Sequence, residues 1–321
     1  MRHALFALFC LTAPALADTI DLVLPIDCTL GETCHIQQFV DHDPGPGARD
    51  FRCGSLSYDD HRGTDFALPT LREMERGVAV LAAAAGTVRA VRDDMVDALQ
   101  LGEGAPDVSG RECGNGVAIT HADGYETQYC HMRQGSIRVV PGQQVAAGTP
   151  LGLVGLSGQT QFPHVHLTLR RDGAVVDPFA PDGAATCDGA EGPTLWAEPL
   201  AAPAGGIIGA GWEVVVPTFD AVKAGLPPRE RLAGDAPALV VWVHLFGGRA
   251  GDRVEVVILG PDGSEVHRHG EALERTQAAL FRATGRRTPP GGWPPGRYAA
   301  EVRLIRDGAL LDGESLTLEV E

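Results

Sequence analysis

The sequence predicts a mainly β protein built as two units in series, an antiparallel β-sheet unit and then a β-sandwich. Three observations carry this. Short alternating apolar runs broken by glycine turns fill residues 57–182: "GVAVLAAAAGTVRAVRD", "NGVAITHADGYETQYCHM", "SIRVVPGQQVAAGTPLGLVG" and "PHVHLTLRRDGAVVDPF". The triplets "ADG" and "RDG" sit where hairpin turns belong. Apart from the weak "TLREMERG", no segment has the spacing of an amphipathic helix. A Gly/Ala/Pro-rich passage around 197–211 reads as a linker. Beyond it, "ALVVWVHLF", "DRVEVVILGPDGSEVHRHG", "QAALFRAT", "GRYAAEVRLIRDG" and "ESLTLEVE" alternate between Gly, Pro and Asp turns, the pattern of an immunoglobulin-like sandwich.

Taken from the start, residues 1–17 read as a signal peptide, with a basic start at Arg2 and His3, an apolar run to Leu16, and small residues at Ala15 and Ala17 before the expected cleavage. The run is too short to span a bilayer and contains Pro14. Cys10 lies in the leader; Cys28, Cys34, Cys53, Cys113, Cys130 and Cys187 remain, an even set in an oxidising compartment, so disulfides are expected. Cys113 and Cys130 flank the hairpin "GNGVAITHADGYETQY" and are expected to pair, leaving the other four to form two bridges. Residues 18–56, with "VDHDPGPGARDFRC", show little periodicity and read as a disulfide-tied extension. The expected divisions are this extension, the first β unit at 57–185, a linker at 186–207 and the sandwich at 208–321. The net charge of −16 argues against nucleic acid or anionic lipid as a partner, and no stretch is apolar enough for a membrane span. Among basic residues arginine dominates and Lys223 is the one lysine, which we read as compositional bias.

"GQTQFPHVHLTLR" places His164, His166, Thr168 and Arg170 on one face of a strand and Val165, Leu167 and Leu169 on the other. Two imidazoles at i and i+2 can grip a metal together, or one can ligate while its neighbour does acid–base chemistry. "DDHRGTDFALP" adds His61 and Asp65, and "ETQYCHM" adds His131 at a strand end. A catalytic zinc site needs about three protein ligands, typically imidazole and carboxylate, with one position open to water. His61, Asp65 and one of the paired histidines meet that requirement.

These motifs, "HRGTDFALP", "GNGVAITHADGYETQYCHM", "IRVVPGQQVAAGTPLGLVG" and "PHVHL", resemble the lysostaphin/LytM-type zinc metallopeptidases over residues 57–182. The resemblance implies a β-sheet enzyme that hydrolyses peptide bonds of peptidoglycan. It implies that His61, Asp65 and His166 bind Zn2+ and that His131 and His164 are the catalytic histidines. It implies peptidoglycan stem peptides as the partner. The signal peptide sets the expected location as periplasmic or secreted, and a cell-wall or protein partner is expected for the C-terminal unit. The chain departs from the pattern in four places. "GQTQFP" replaces a small glycine-rich run, so Phe162 borders the cleft; Thr168 replaces an acidic residue; and "LREMERG" and "DDMVDALQLGEGAPDVSGREC" lengthen loops near the groove.

The remaining histidines and tryptophans get plainer readings. His121 is expected to be structural, and His42 to lie in a solvated acidic loop. His244, His267 and His269 are expected on the surface of the sandwich. Trp196, Trp212, Trp242 and Trp293 lack regular spacing and are expected in the core or at its edges. The competing functional reading is a catalytically silent regulator that binds and activates another cell-wall hydrolase; such regulators lack the metal ligands that this chain keeps. The acidic charge, the disulfides and the absence of linker repeats favour a periplasm, hence a crosslink between stem peptides over a polyglycine bridge.

Overall fold

The computed structural model describes residues 19–101, 104–187 and 192–321; the expected leader, Cys10 included, and residues 188–191 of the expected linker lie outside them. The alternating runs form β-strands. In the first unit these are β1 (His35–Gln38), β2 (Thr64–Ala67), β3 (Ala79–Leu81), β4 (Gly86–Arg92), β5 (Asn115–Thr120), β6 (Tyr125–Met132), β7 (Gln144–Val145), β8 (Pro150–Leu153), β9 (His164–Arg171) and β10 (Ala174–Val176). Eight of them make one antiparallel sheet in the order β1-β2-β9-β6-β5-β4-β7, with β10 paired to β9, while β3 and β8 pair separately. "TLREMERG" gives the short helix α1 (Leu71–Arg76).

Both hairpin triplets turn as expected. Asp123 (φ 54°) and Gly124 (φ 77°) link β5 to β6, and Asp172 (φ 50°) and Gly173 (φ 85°) link β9 to β10. Consecutive left-handed residues match the twist of the flanking strands, and Asp and Gly tolerate that region best. The Cys113–Cys130 bridge forms, and the other four cysteines pair as Cys28–Cys34 and Cys53–Cys187.

The core beneath the sheet takes Val165, Leu167 and Leu169 from β9, Phe66 from β2, Tyr129 from β6 and Ile119 from β5, all essentially inaccessible. Burying each such side chain contributes about 1.5–3 kcal/mol before entropy is charged against it. Residues 19–56 enter this same core through Leu22, Ile26, Phe39, Phe51 and Leu56, and β1 is the outermost strand of the sheet beside β2. Phe39, Phe51 and Phe179 pack ring on ring at 5.1–5.2 Å, and Trp196, from the region read as linker, lies edge-on to Phe66 at 5.9 Å.

In the C-terminal region β11 (Gly206–Glu213), β13 (Ala238–Gly248) and β16 (Gln277–Arg287) form a three-stranded sheet. A second sheet, in the order β12-β18-β17-β14-β15, uses β12 (Arg231–Leu232), β14 (Arg253–Leu259), β15 (Glu265–Ala272), β17 (Gly296–Arg306) and β18 (Ala309–Val320). Leu239, Val241, Val243 and Leu245 of the first sheet and Val254, Val256, Val302 and Leu304 of the second share one buried cluster, along with Trp212 and Trp293. All four tryptophans are buried.

His244 corrects the surface expectation. It is buried on β13, its ring 5.0 Å from Phe219 of a second short helix, α2 (Phe219–Ala224). Alternation along one strand assumes one wet face, but nearly all of β13 is buried, so both faces are covered. His42, expected in a solvated loop, is also mostly covered, and its Nε2 meets Asp177 Oδ2 at 2.8 Å. His121 is structural in its contacts: Nδ1 donates to Ala85 O (2.7 Å) and Nε2 lies 2.8 Å from Thr127 Oγ1.

Candidate metal centre and active site

β2 and β9 make the floor of the site. Their antiparallel register sets Asp65 opposite His166 and Ala67 opposite His164. Directly opposed residues project to the same side of a sheet, so the carboxylate and the paired imidazoles share one face. Period-2 alternation would leave that polar face open to water, yet His164 and Thr168 are only 4% and 3% accessible.

His61 arrives from the loop before β2. Its Nδ1 donates to Phe39 O at 2.6 Å, its backbone N–H donates to Tyr58 O at 3.0 Å, and its carbonyl accepts from Asp41 N at 2.8 Å. The N-terminal segment thus fixes both ring orientation and tautomer, leaving Nε2 as a lone pair aimed into the site. Gly63 allows the close approach of β9: a Cβ there would lie 2.5 Å from His166 Nε2 and 2.6 Å from Leu167 O.

The result is a tight triangle of donor atoms. His61 Nε2 lies 3.3 Å from Asp65 Oδ1 and 3.1 Å from His166 Nδ1, and the third edge, His166 Nδ1 to Asp65 Oδ1, is 2.8 Å. On the far side of its ring, His166 Nε2 lies 3.0 Å from Thr168 Oγ1. Two of the three converging atoms are acceptors, and a single proton on His166 could serve only one of them. A cation serves all three. A tetrahedral ion with bonds of about 2.0–2.1 Å would need edges of about 3.3 Å, close to those present. Among the described residues this is the group of His, Cys, Asp or Glu side chains that could hold a metal ion.

The electrostatics agree with that chemistry. Burial opposes the charge of Asp65, but His61 and His164, with hydrogen bonds from His164 and His166, hold its carboxyl well below the usual range. Burial likewise works against a charged His61, and the neighbouring Asp65 outweighs it and raises the imidazole. For His166 burial wins over Asp65 and the pKa falls. A neutral ring is the form that can ligate.

His131, the penultimate residue of β6, has a left-handed backbone (φ 62°). Cys130 opposes His166, so regular pleating would turn His131 to the other side. The left-handed residue re-aims it instead, bringing its ring centroid 4.7 Å from that of His164 and 6.0 Å from that of His166. His131 Nδ1 donates to Ser157 O at 2.9 Å, and His164 Nδ1 donates to Phe162 O at 3.0 Å. Both rings therefore keep Nε2 for the cleft, and His164 Nε2 lies 3.4 Å from Asp65 Oδ1. Burial, then the charges of His164 and His166, push the pKa of His131 well below the ordinary histidine value. Phe162 does border the cleft, its ring stacked on His164 at 4.3 Å.

The structure thus brings together all five residues singled out in the sequence. Sequence reasoning missed the groups that hold them, the carbonyls of Phe39, Ser157 and Phe162. Backbone acceptors leave no mark in residue identity.

Residues 59–178 match Peptidase family M23. Over 109 residues the chain is 32% identical to the peptidoglycan DD-endopeptidase ShyA of Vibrio cholerae serotype O1, a match covering 34% of this chain and 20% of that protein. Over 72 residues it is 36% identical to the DD-carboxypeptidase/endopeptidase Mpg of Neisseria meningitidis serogroup B, covering 21% of this chain and 15% of that protein. The chain therefore spans a fifth or less of the length of these two relatives. A solved catalytic domain, the prophage-encoded M23 protein EnpA from Enterococcus faecalis, is 31% identical and covers 45% of this chain and 89% of that one, with a TM-score of 0.29. With the His-Asp-His triangle, the two further histidines and the antiparallel sheet that carries them, residues 59–178 of this chain are a domain of peptidase family M23.

Proposed function

We propose that the protein is an exported, zinc-dependent endopeptidase that hydrolyses peptide crosslinks of peptidoglycan, with His61, Asp65 and His166 as metal ligands and His131 and His164 as catalytic residues. The observation that supports this most is the triangle of three donor atoms with edges of 2.8–3.3 Å beside two imidazoles whose Nδ1 atoms are committed to carbonyls. A bound zinc ion would supply a water of lowered pKa and a Lewis acid for the scissile carbonyl. Of the pair His131 and His164, one takes the proton of the attacking water at its free Nε2, and the other, carrying a proton on Nε2 as well as on Nδ1, steadies the developing oxyanion. Burial keeps His131 neutral, as a proton acceptor must be. Asp65, held ionised, balances positive charge gathered in the site.

Phe162 stacks on His164 at 4.3 Å, and the insert at 93–113 is proposed to wall the groove, which together favour a slender, defined peptide. The proposed substrate is accordingly the direct crosslink between stem peptides, and the C-terminal sheets are proposed as an immunoglobulin-like accessory domain. Purified muropeptide dimers and polyglycine peptides, incubated separately with the zinc-loaded protein, test the reading. Conversion of dimers to monomers, blocked by chelator, is expected. Cleavage of polyglycine with intact dimers would refute the substrate, and a protein that binds no zinc would point to the silent regulator instead.

A further inference from the structure

The insert at 93–113 makes contacts that a mere groove wall has no need of. Asp97 sits in it, between the chain segments that follow His131 and precede His164. Its Oδ1 accepts the backbone N–H of Leu156 at 2.7 Å, and its Oδ2 accepts the N–H of Gln134 at 3.0 Å. Leu156 immediately precedes Ser157, whose carbonyl holds His131 Nδ1. Gln134 lies three residues after His131, at the end of the same chain segment. One carboxylate therefore ties together the two pieces of backbone that carry and orient His131.

Neighbouring contacts extend the clasp to His164. Ala98 N donates to Leu156 O (3.1 Å), Gln100 N to Thr160 O (2.8 Å) and Gln159 N to Glu112 O (2.7 Å), so both ends of the insert hold the segment 156–160. That segment runs into Phe162, whose carbonyl accepts His164 Nδ1–H, and Thr160 Oγ1 lies 3.2 Å from the same nitrogen. At the far end of the insert, Cys113 O accepts the backbone N–H of His131 at 2.8 Å, and Cys113 is bridged to Cys130. His131 needs such a frame because its left-handed backbone (φ 62°) is costly for a residue with a side chain and persists only where the surroundings impose it.

We propose that Asp97 is a positioning residue for the peptidase reaction: its carboxylate locks the segment 156–160 to the end of β6, and so sets the mutual placement of His131 and His164. The proposal rests on the catalytic assignment of those two histidines. The Asp97 carboxylate hydrogen-bonds the backbone of Leu156 and Gln134 and none of the proposed metal ligands, so its loss should spare zinc and substrate binding and cost turnover.

The test compares full-length wild type with Asp97→Ala and Asp97→Asn. Zinc content, kcat and KM on muropeptide dimers, and the imidazole 15N resonances of the zinc-loaded and metal-free proteins would be measured. For Asp97→Ala we expect unchanged zinc content and KM, a kcat lowered on the order of 100-fold, and shifted ring resonances of His131 and His164 in both forms. Asp97→Asn keeps one acceptor oxygen, so its loss should be smaller and in the same direction; it serves alone if the alanine variant does not fold. An unchanged kcat with unmoved resonances overturns the proposal, as does a loss of activity that follows loss of zinc. A wild type without zinc-dependent hydrolysis would sink the catalytic reading instead, and the resonances of the metal-free proteins would then decide the positioning role by themselves.

Discussion

Asp65 is the side chain on which the cluster turns: its Oδ1 lies within 3.4 Å of a ring nitrogen from each of His61, His164 and His166. Alanine at His61, Asp65 or His166 removes one of three proposed ligands, and metal analysis of each purified variant should show zinc reduced to a trace, with hydrolysis lost. His131→Ala and His164→Ala should keep zinc while kcat falls about 100- to 10,000-fold. Should His164→Ala lose the metal and His166→Ala keep it, the division of labour within the pair is reversed. Thr168 offers a finer test. Its hydroxyl lies 3.0 Å from His166 Nε2, so Thr168→Val leaves that nitrogen without its partner. Competition with a chromophoric chelator should show zinc affinity about 10- to 100-fold weaker, the usual effect of losing a group that orients a ligand. The family pattern carries an acidic residue here, and the departure was visible in the sequence; the bond that makes it matter was not.

Among the elements, the β2–β9 pair brings Asp65 and His166, 101 residues apart, into contact. A slip of one residue would send His164 and His166 into the core and Val165 and Leu167 into the cleft. Gly63 protects that pairing. Gly63→Ala would place a methyl 2.5 Å from His166 Nε2 and 2.6 Å from Leu167 O, and the Leu167 carbonyl cannot swing away as a side chain tip could. The expected outcome is a loss of about 1–3 kcal/mol in denaturant unfolding, accompanied by weaker zinc binding; full stability and full zinc binding together would show that β2 relaxes freely. The strands and both Asp-Gly hairpins were legible because each needs only local information, a two-residue alternation and a left-handed turn. The buried polar face of β9 was not, since its cover comes from loops and strands distant in sequence.

Across the whole molecule, the two sheet systems meet at a joint that carries histidines. His35 on β1 lies 4.6 Å from Phe246 on β13, and Gln37 Nε2 donates to Ala278 O on β16 at 2.7 Å. Burial lowers His35 to about 4, against a smaller opposing effect of its hydrogen bond with Gln37. Burial, then the charges of His35 and Lys223, lowers His244 to about 3. Both folded values lie below the ordinary 6.5, so the folded state favours the neutral rings. That contribution is complete above pH 6.5 and drains away as the pH falls toward 4, by on the order of 3 kcal/mol per ring. Thermal unfolding across that window should show Tm dropping with acid, and His244→Phe, whose ring needs no partner for the unpaired Nε2, should flatten the fall. An equally steep fall in the variant would remove His244 from the account. The sequence by itself determined the strands, their turns and the Cys113–Cys130 pairing, and it singled out, through motifs that resemble a known family, the five residues that the structure brings together, because periodicity, turn chemistry and motif spacing are written locally. Only the tertiary structure decided that residues 19–56 enter the core and hold His61, that His244 is buried, and that Asp97 clasps the backbone behind His131. Those facts depend on which distant segment covers which face and on carbonyls and N–H groups that every residue shares, so residue identity along the chain does not encode them.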